Sequence, residues 1–167
     1  MKQSIVFLGS VVIALLLTGC GVKPYVDVTS DEYATLQLIP KSETLIFSDD
    51  YYCIIEDYSK GCKDSVMLGL VMTDSDTPSR VVKLPVKKPL LITAKYVVTS
   101  GNSTFTDYTQ FILTPEKKRD YIVEYVKTDV DFFRTTSDFH TYMKKGGKVL
   151  DIPDANIHSF SYAKDCK

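Results

Sequence analysis

The chain has 167 residues with 20 basic and 21 acidic side chains, which gives a formal net charge of -1. This is one domain's worth of chain, enough to bury a core. The near-neutral balance argues against a nucleic-acid-binding domain, which is usually strongly basic, and against an acidic disordered tail. Eleven tyrosines and frequent Val, Ile and Thr are typical of β-strands.

The first nineteen residues have the pattern of an export signal. Met1 and Lys2 place positive charge at the start, and residues 5–17 form an apolar run interrupted by Gly9 and Ser10. A charged segment followed by an apolar segment of this length is typical of a signal peptide. The run is shorter than the roughly 20 apolar residues of a membrane-spanning helix. An uncleaved anchor helix and a buried core helix are the alternatives.

The apolar run ends in Leu17, Thr18, Gly19 and Cys20. An aliphatic residue, two small residues and a cysteine in this order resemble the lipobox of bacterial lipoproteins. The resemblance implies cleavage before Cys20, which then carries a diacylglyceryl thioether and an N-acyl chain. In that family an aspartate directly after the cysteine favours the inner membrane. Gly21 stands there, so we expect the outer membrane, with the chain facing the periplasm or the cell surface.

The domain organisation follows from this processing. We predict a cleaved signal peptide at 1–19, a lipidated N-terminus and tether at 20–30, and a single β-sandwich domain at 31–167. Ten extended residues reach at most about 35 Å, so the domain is expected close to the bilayer.

Short apolar and β-branched segments bounded by Pro, Gly and Asp predict strands from Tyr33 onward. The predicted strands are 33–39, 44–47, 51–56, 65–72, 80–84, 90–98, 104–113 and 121–127. Residues 100–103 form a turn cluster. The last two strands, on either side of the charged turn 114–120, are the best hairpin candidate. Tyr121, Val123 and Tyr125 fall on one face of the second of them, because side chains alternate along a strand.

The C-terminal stretch mixes signals. Residues 130–135 and 148–152 predict strands, whereas Ser137 predicts the N-cap of a short helix at 137–145 that ends at Gly146 and Gly147. Many short strands without a long amphipathic helix indicate a mainly β fold. We therefore predict an antiparallel β-sandwich with at most one short helix near the C-terminus.

Residues 85–125 loosely resemble small envelope β-sandwich modules of transthyretin-like or immunoglobulin-like shape. The features are a proline-bounded strand, then Phe111 and Pro115 before a turn, then Tyr121 and Val123. The resemblance implies the shape of the fold.

Lipidation of Cys20 would leave Cys53, Cys62 and Cys166 in an oxidising envelope, with one disulfide to share. Cys53 and Cys62 are close in sequence, with Gly61 available for a turn, and we predict that they pair. A bond across that loop stabilises by about 2–3 kcal/mol in the chain-entropy model. The alternative is that Cys166 ties the C-terminal tail to one of them.

Signatures of catalysis are missing from the sequence. There is no Gly-x-Ser-x-Gly elbow and no phosphate-binding glycine loop. His140 and His158 are interpreted as surface residues. Asp74 and Asp76 are interpreted as solvated turn residues, because the glycine and glutamate of a calcium loop are absent. We expect no catalytic residue, metal or cofactor.

Basic residues cluster at three places. Such groups attract anionic lipid headgroups; the alternative is that lysine solvates turns and blunts sheet edges. The clusters are Lys83, Lys87 and Lys88; Lys117, Lys118 and Arg119; and Lys144, Lys145 and Lys148.

The leading functional hypothesis is a non-enzymatic envelope lipoprotein that binds another protein or helps to organise a complex. Tyr51, Tyr52 and Tyr58 are candidates for a binding face, since exposed tyrosine is favoured at interfaces; core packing is the alternative. A module that binds a small ligand or lipid in an apolar cleft comes second, and a hydrolytic enzyme third.

Overall fold

Alternation of apolar and polar residues produces ten strands in the part of the chain that the structure describes. The computed structural model describes residues 23–41, 48–73, 79–100, 103–131 and 134–166. A 3-10 helix, Cys62–Asp64, and one short α-helix, α1 (Tyr162–Asp165), accompany the strands there. The strands are β1 (Tyr33–Lys41), β2 (Ser48–Asp57), β3 (Val66–Thr73), β4 (Arg80–Pro85), β5 (Leu90–Ser100), β6 (Ser103–Leu113), β7 (Asp120–Asp131), β8 (Arg134–Lys145), β9 (Lys148–Leu150) and β10 (Ile157–Ser159).

The strands form two sheets of five, which confirms the predicted mainly β, sandwich-like fold. The first sheet has the order β4-β1-β7-β8-β9, and the second has the order β10-β6-β5-β2-β3. Every pair is antiparallel except β1 with β7, which run parallel with Leu36 opposite Tyr121. Parallel strands cannot be joined by a tight turn. No local sequence pattern therefore predicts this pair.

The core lies between the sheets and takes one face of each central strand. In β1, Ala34, Leu36 and Leu38 are buried and alternate with half-buried residues. The predicted inward face of β7 is confirmed, since Tyr121, Val123 and Tyr125 all belong to the core. Burying a large apolar side chain contributes about 1.5–3 kcal/mol relative to leaving it exposed.

Aromatic rings fill the middle of this core. Tyr96 of β5 stacks on Tyr125 of β7 with ring centroids 4.0 Å apart, and Phe139 lies 4.8 Å from Tyr125. The ring centroid of Tyr51 lies 6.4 Å from that of Tyr125. The Tyr51 hydroxyl donates a hydrogen bond to the Val123 carbonyl at 3.4 Å. Such pairs contribute about 0.5–1.5 kcal/mol beyond their burial. These rings tie the two sheets together in the middle of the core.

The predicted helix at 137–145 is wrong, because this segment belongs to strand β8. Its side chains at 139 and 143 are four residues apart, a spacing that suits one face of a helix and one face of a strand equally. Both Phe139 and Met143 pack toward the core. Ser137 caps no helix, and its hydroxyl donates to Asp107 of β6 at 2.7 Å.

Gly146 and Gly147 form the turn between β8 and β9 instead of ending a helix. Their φ angles are 56° and 78°, and Lys145 faces Lys148 across them. Two positive φ angles in a two-residue connection are the requirement of a type I′ hairpin turn, which glycine meets without strain. The predicted strand at 148–152 is thus observed as the shorter β9.

The predicted hairpin between 104–113 and 121–127 is also wrong, because β6 and β7 lie in different sheets. Residues 114–119 cross between the sheets, and the Pro115 carbonyl accepts a hydrogen bond from Lys87 N–H at 3.0 Å. β6 forms its hairpin with β5, with Ser100 opposite Ser103 at the predicted turn cluster. The predicted strand 130–135 spans the end of β7 and the start of β8, with 132–133 outside the described residues. The predicted strand 44–47 also lies outside them.

The disulfide joins Cys62 to Cys166, so the predicted Cys53–Cys62 pair is wrong and the alternative pairing with Cys166 is confirmed. Cys53 is a free cysteine that faces the core from β2, on the same side as Tyr51 and Ile55. Burial raises the pKa of its thiol to about 12. A buried thiol with a raised pKa is inert, and its inward position keeps it away from Cys62.

The disulfide fastens the C-terminal tail to the connection between β2 and β3. The Tyr58 hydroxyl donates to the Asp165 carbonyl at 2.8 Å, and the Tyr58 ring meets Phe160 edge-on at 6.1 Å. Leu91 and Ile112 face each other on the outer face of the second sheet and are nevertheless buried. The second sheet therefore has apolar packing on both faces at this end.

Candidate functional site

Residues 23–27, which fall inside the predicted tether of 20–30, dock on the sandwich. Pro24 forms a parallel bridge with Leu70 of β3. Tyr25 N–H donates to the Leu70 carbonyl, and Leu70 N–H donates to the Lys23 carbonyl, both at 2.9 Å. Gly69 permits this approach, because a Cβ there would lie 2.6 Å from Tyr25 N. The chain is therefore fixed to the domain from Lys23 onward.

The docked segment also covers the neighbouring strand of the other sheet. The Tyr25 hydroxyl donates to the Lys83 carbonyl of β4 at 2.7 Å, and Asp27 accepts from Lys83 N–H at 2.8 Å. Tyr25 is 8% exposed, and burial raises the pKa of its hydroxyl to about 12. Exposed strand edges recruit other chains. This side of the sandwich is closed by the protein's own N-terminal segment.

The strand directions define the end of the sandwich from which this segment comes. We call basal the end at which β3, β5 and β7 begin and β4, β6 and β8 end. The docked segment 23–27 runs parallel to β3, so Lys23 is the end of this segment that points toward the basal side.

The three predicted basic clusters all lie at or near the basal end. The first spans the end of β4 and the residues after it, the second lies in the β6–β7 connection, and the third surrounds the β8–β9 turn. Backbone bonds hold these connections together: besides the Lys87–Pro115 bond, Lys118 N–H donates to the Tyr33 carbonyl at 2.9 Å. The sequence identified the clusters, and the topology brings them to one surface.

Some of these cations are paired. Lys117 Nζ lies 2.7 Å from Glu32 and Lys87 Nζ lies 3.8 Å from the same carboxylate. The hydrogen bond from Lys117 holds the pKa of Glu32 below its usual range. Arg119 pairs with Glu116 at 3.1 Å. Such exposed pairs contribute little to stability, but they hold the basic side chains in defined positions at this end.

A shallow depression of about 350 Å³ lies beside these pairs. Thr35 Oγ1 donates to Asp120 at 2.6 Å within it. Its charged lining suits a polar or ionic group. The lining residues are Asp31, Tyr33, Thr35, Lys118, Arg119 and Asp120.

A second surface is formed by the open edges of β6 and β8. Strand β10 pairs only with 111–113 of β6, and β9 pairs only with 143–145 of β8. Within the described ranges, 103–110 and 134–142 therefore have no strand on their outer side. The Gln110 carbonyl accepts a hydrogen bond from Phe160 N–H at 3.0 Å. The outward backbone groups of the other residues in these two segments are a template for an added strand. Ser137 and Asp107 hold the two edges side by side.

The exposed aromatic residues at this edge are Phe105 and Tyr108, which are 55% and 63% exposed. The predicted tyrosine face is not formed. Tyr51 lies in the core, Tyr52 is half-buried and donates to Asp50, and Tyr58 binds the C-terminal tail. The signal that was missed is the segment 103–110, in which these two aromatics stand among polar residues only.

The remaining residues singled out in the sequence are two histidines and two loop aspartates. His140 and His158 are exposed, and His158 Nε2 lies 3.9 Å from Asp165. No cluster of three His, Cys, Asp or Glu suited to a metal occurs among the described residues, which exclude Asp74 and Asp76.

The lipobox residues Leu17, Thr18, Gly19 and Cys20 lie outside the described residues. In the part of the chain that is described, no helix has both the length and the apolar character needed to cross a bilayer.

Comparisons of the chain with protein-family models, with curated proteins and with solved structures found no match. The function therefore has to be argued from the residues of this chain.

Proposed function

We propose that this protein is a bacterial envelope lipoprotein, anchored through Cys20, whose sandwich binds another envelope protein without a catalytic step. The observation that carries the proposal is the lipobox, 17–20, placed three residues before a segment that docks on the domain. An export signal and a lipid site at this position join the membrane directly to a folded body.

The short distance between Cys20 and Lys23 supports a tight anchor. An extended chain spans at most about 3.6 Å per residue, so Cys20 lies within roughly 11 Å of Lys23. A lipid on Cys20 would hold the sandwich at the bilayer surface. Two or three acyl chains anchor firmly, whereas one binds only marginally.

We expect Cys20→Ala to abolish processing, because the variant lacks the thiol that is acylated before cleavage. In cells fed a labelled fatty acid, the variant should keep the precursor mass and carry no label. The matched control is Cys53→Ala, which also loses a thiol and should be processed and labelled normally. Cleavage of Cys20→Ala after Gly19 would contradict the lipobox interpretation.

The open edges of β6 and β8 support protein binding. An extended segment of a partner could pair with 103–110 or 134–142 through backbone hydrogen bonds, with Phe105 and Tyr108 on opposite faces of the same strand. Aromatic residues are enriched at protein interfaces.

We expect a photo-reactive residue at Tyr108 to crosslink a defined protein in intact cells. The matched control is Val81, which is 54% exposed but lies on β4, where the N-terminal segment covers the edge. The adduct should form from Tyr108 and not from Val81. Equal adducts from both positions, or adducts with lipid alone, would argue against the edge as the binding surface.

A further inference from the structure

We infer that the basal end lies against an anionic lipid surface, so that the sandwich stands upright on the membrane. This inference rests on the proposed lipid anchor at Cys20. Its basis is the meeting of two independent features at one end of the fold: the direction of the docked segment 23–27, whose first residue points toward the basal end, and the convergence of the basic clusters there.

The connections at the basal end carry more basic than acidic residues. Residues 58–65, 86–89 and 114–119 together contain seven Lys or Arg and two acidic residues, and the flanking carboxylates at the same end are Asp31, Glu32, Asp57 and Asp120. Lys144, Lys145 and Lys148 add three more cations around the β8–β9 turn. The whole chain has a net charge of -1, so this surplus reflects where the charges lie. Asp107 and Asp138 lie toward the opposite end.

Several of these cations are available to a partner. Lys117, Lys87, Lys88 and Arg119 are engaged with carboxylates. By contrast, some exposed cations have no ion pair to any described residue: these include Lys60, Lys63, Lys118, Lys145 and Lys148. They surround the end on both sheets, as a flat anionic surface would require.

The surface next to the anchor also suits the headgroup region. Val66, the first residue of β3 and thus at the basal end, is 57% exposed. Apolar and basic residues together are typical of surfaces that rest in the membrane interface. When the basal end rests on the membrane, the open edges 103–110 and 134–142 lie toward the opposite end of the sandwich, where an envelope partner can reach them.

The test uses the processed lipoprotein reconstituted in vesicles of phosphatidylcholine, with or without about 30% phosphatidylglycerol, and a water-soluble acetylating reagent read by mass spectrometry. We expect Lys118, Lys145 and Lys148 to be acetylated about threefold more slowly on the anionic vesicles, because basic side chains are attracted to such surfaces. Lys41 and Lys95, far from the basal end, should react equally on both. About 0.5 M salt should remove the difference, because it screens exposed charges.

A charge-reversed variant tests the cause. Lys145 and Lys148 face each other across the turn. The double variant Lys145→Glu with Lys148→Glu therefore keeps a like-charged pair at this place. On anionic vesicles it should abolish the protection of Lys118 from acetylation. Arg80→Glu, an exposed reversal at the start of β4, should leave that protection intact.

The outcomes separate the two proposals. Equal labelling on both vesicles, with acyl chains present on the N-terminal peptide, overturns the orientation and leaves the lipoprotein proposal standing. An N-terminal peptide without acyl chains overturns both. Equal protection when DNA of matched phosphate content replaces the anionic lipid would assign the basal end to polyanions in general and overturn the membrane assignment.

Discussion

Replacing Cys166 with serine should lower the free energy of unfolding by about 4.7 kcal/mol, since the chain-entropy model gives this value for a loop of roughly 100 residues. The bond between Cys62 and Cys166 closes a separation of 104 residues, which is most of the described domain. Its loss also releases the tail that Tyr58 holds through the Asp165 carbonyl. Urea unfolding of oxidised protein measures the difference.

Two controls identify the bond responsible. The reduced wild type should unfold at the same urea concentration as Cys166→Ser, and reductant should not destabilise that variant further. Cys62→Ser with Cys166→Ser should be no less stable than either single variant, because the two residues act as one unit. Additional destabilisation of Cys166→Ser by reductant would point to a second disulfide, of the Cys53–Cys62 type predicted from spacing.

Closeness in sequence predicted the wrong partner for Cys62. Proximity favoured Cys53 with Cys62, but the predicted strand 51–56 already held the contrary signal. Tyr51, Cys53 and Ile55 share one face, and that face is the core. A cysteine between two large inward residues is removed from surface pairing by burial. Strand alternation was thus better evidence than distance along the chain.

Local patterns predicted most strands because one face of each is apolar, as Tyr121, Val123 and Tyr125 illustrate. They failed where the outcome depends on distant partners. The parallel β1–β7 pair and the crossing of 114–119 between sheets are settled by long-range packing. The same holds for the candidate site. The basic clusters are visible in the sequence, whereas only the strand topology shows that they meet at the basal end.

Gly69→Ala should detach the N-terminal segment and lower the free energy of unfolding by about 1–3 kcal/mol, the usual cost of forcing extra volume into a packed site. The added methyl would overlap the Tyr25 backbone and lie 2.8 Å from the Pro24 carbonyl carbon. Backbone cannot move aside as a flexible side chain can. The segment must shift, and the hydrogen bonds between Tyr25 and Leu70 should be lost.

Amide hydrogen exchange locates the change. The N–H groups of Tyr25, Leu70 and Lys83 each donate within this contact, and all three should exchange faster in Gly69→Ala, while amides between β5 and β6 should change little. Tyr25→Phe is the matched control. It removes only the hydroxyl bond to Lys83, at about 1 kcal/mol, and should leave the Tyr25 and Leu70 amides protected. Unchanged exchange in Gly69→Ala would show that the segment is not held against β3.

The same variant connects the fold to the membrane. With the segment detached, the whole stretch 20–32 before β1 becomes a linker that reaches up to about 45 Å. The lipid on Cys20 would still hold the protein to vesicles, but the sandwich could turn freely. We therefore expect Gly69→Ala to keep its acyl chains while the protection of Lys118 on anionic vesicles weakens, and Tyr25→Phe to retain that protection. If Gly69→Ala retains full protection, charge alone sets the orientation and the docked segment is not needed for it.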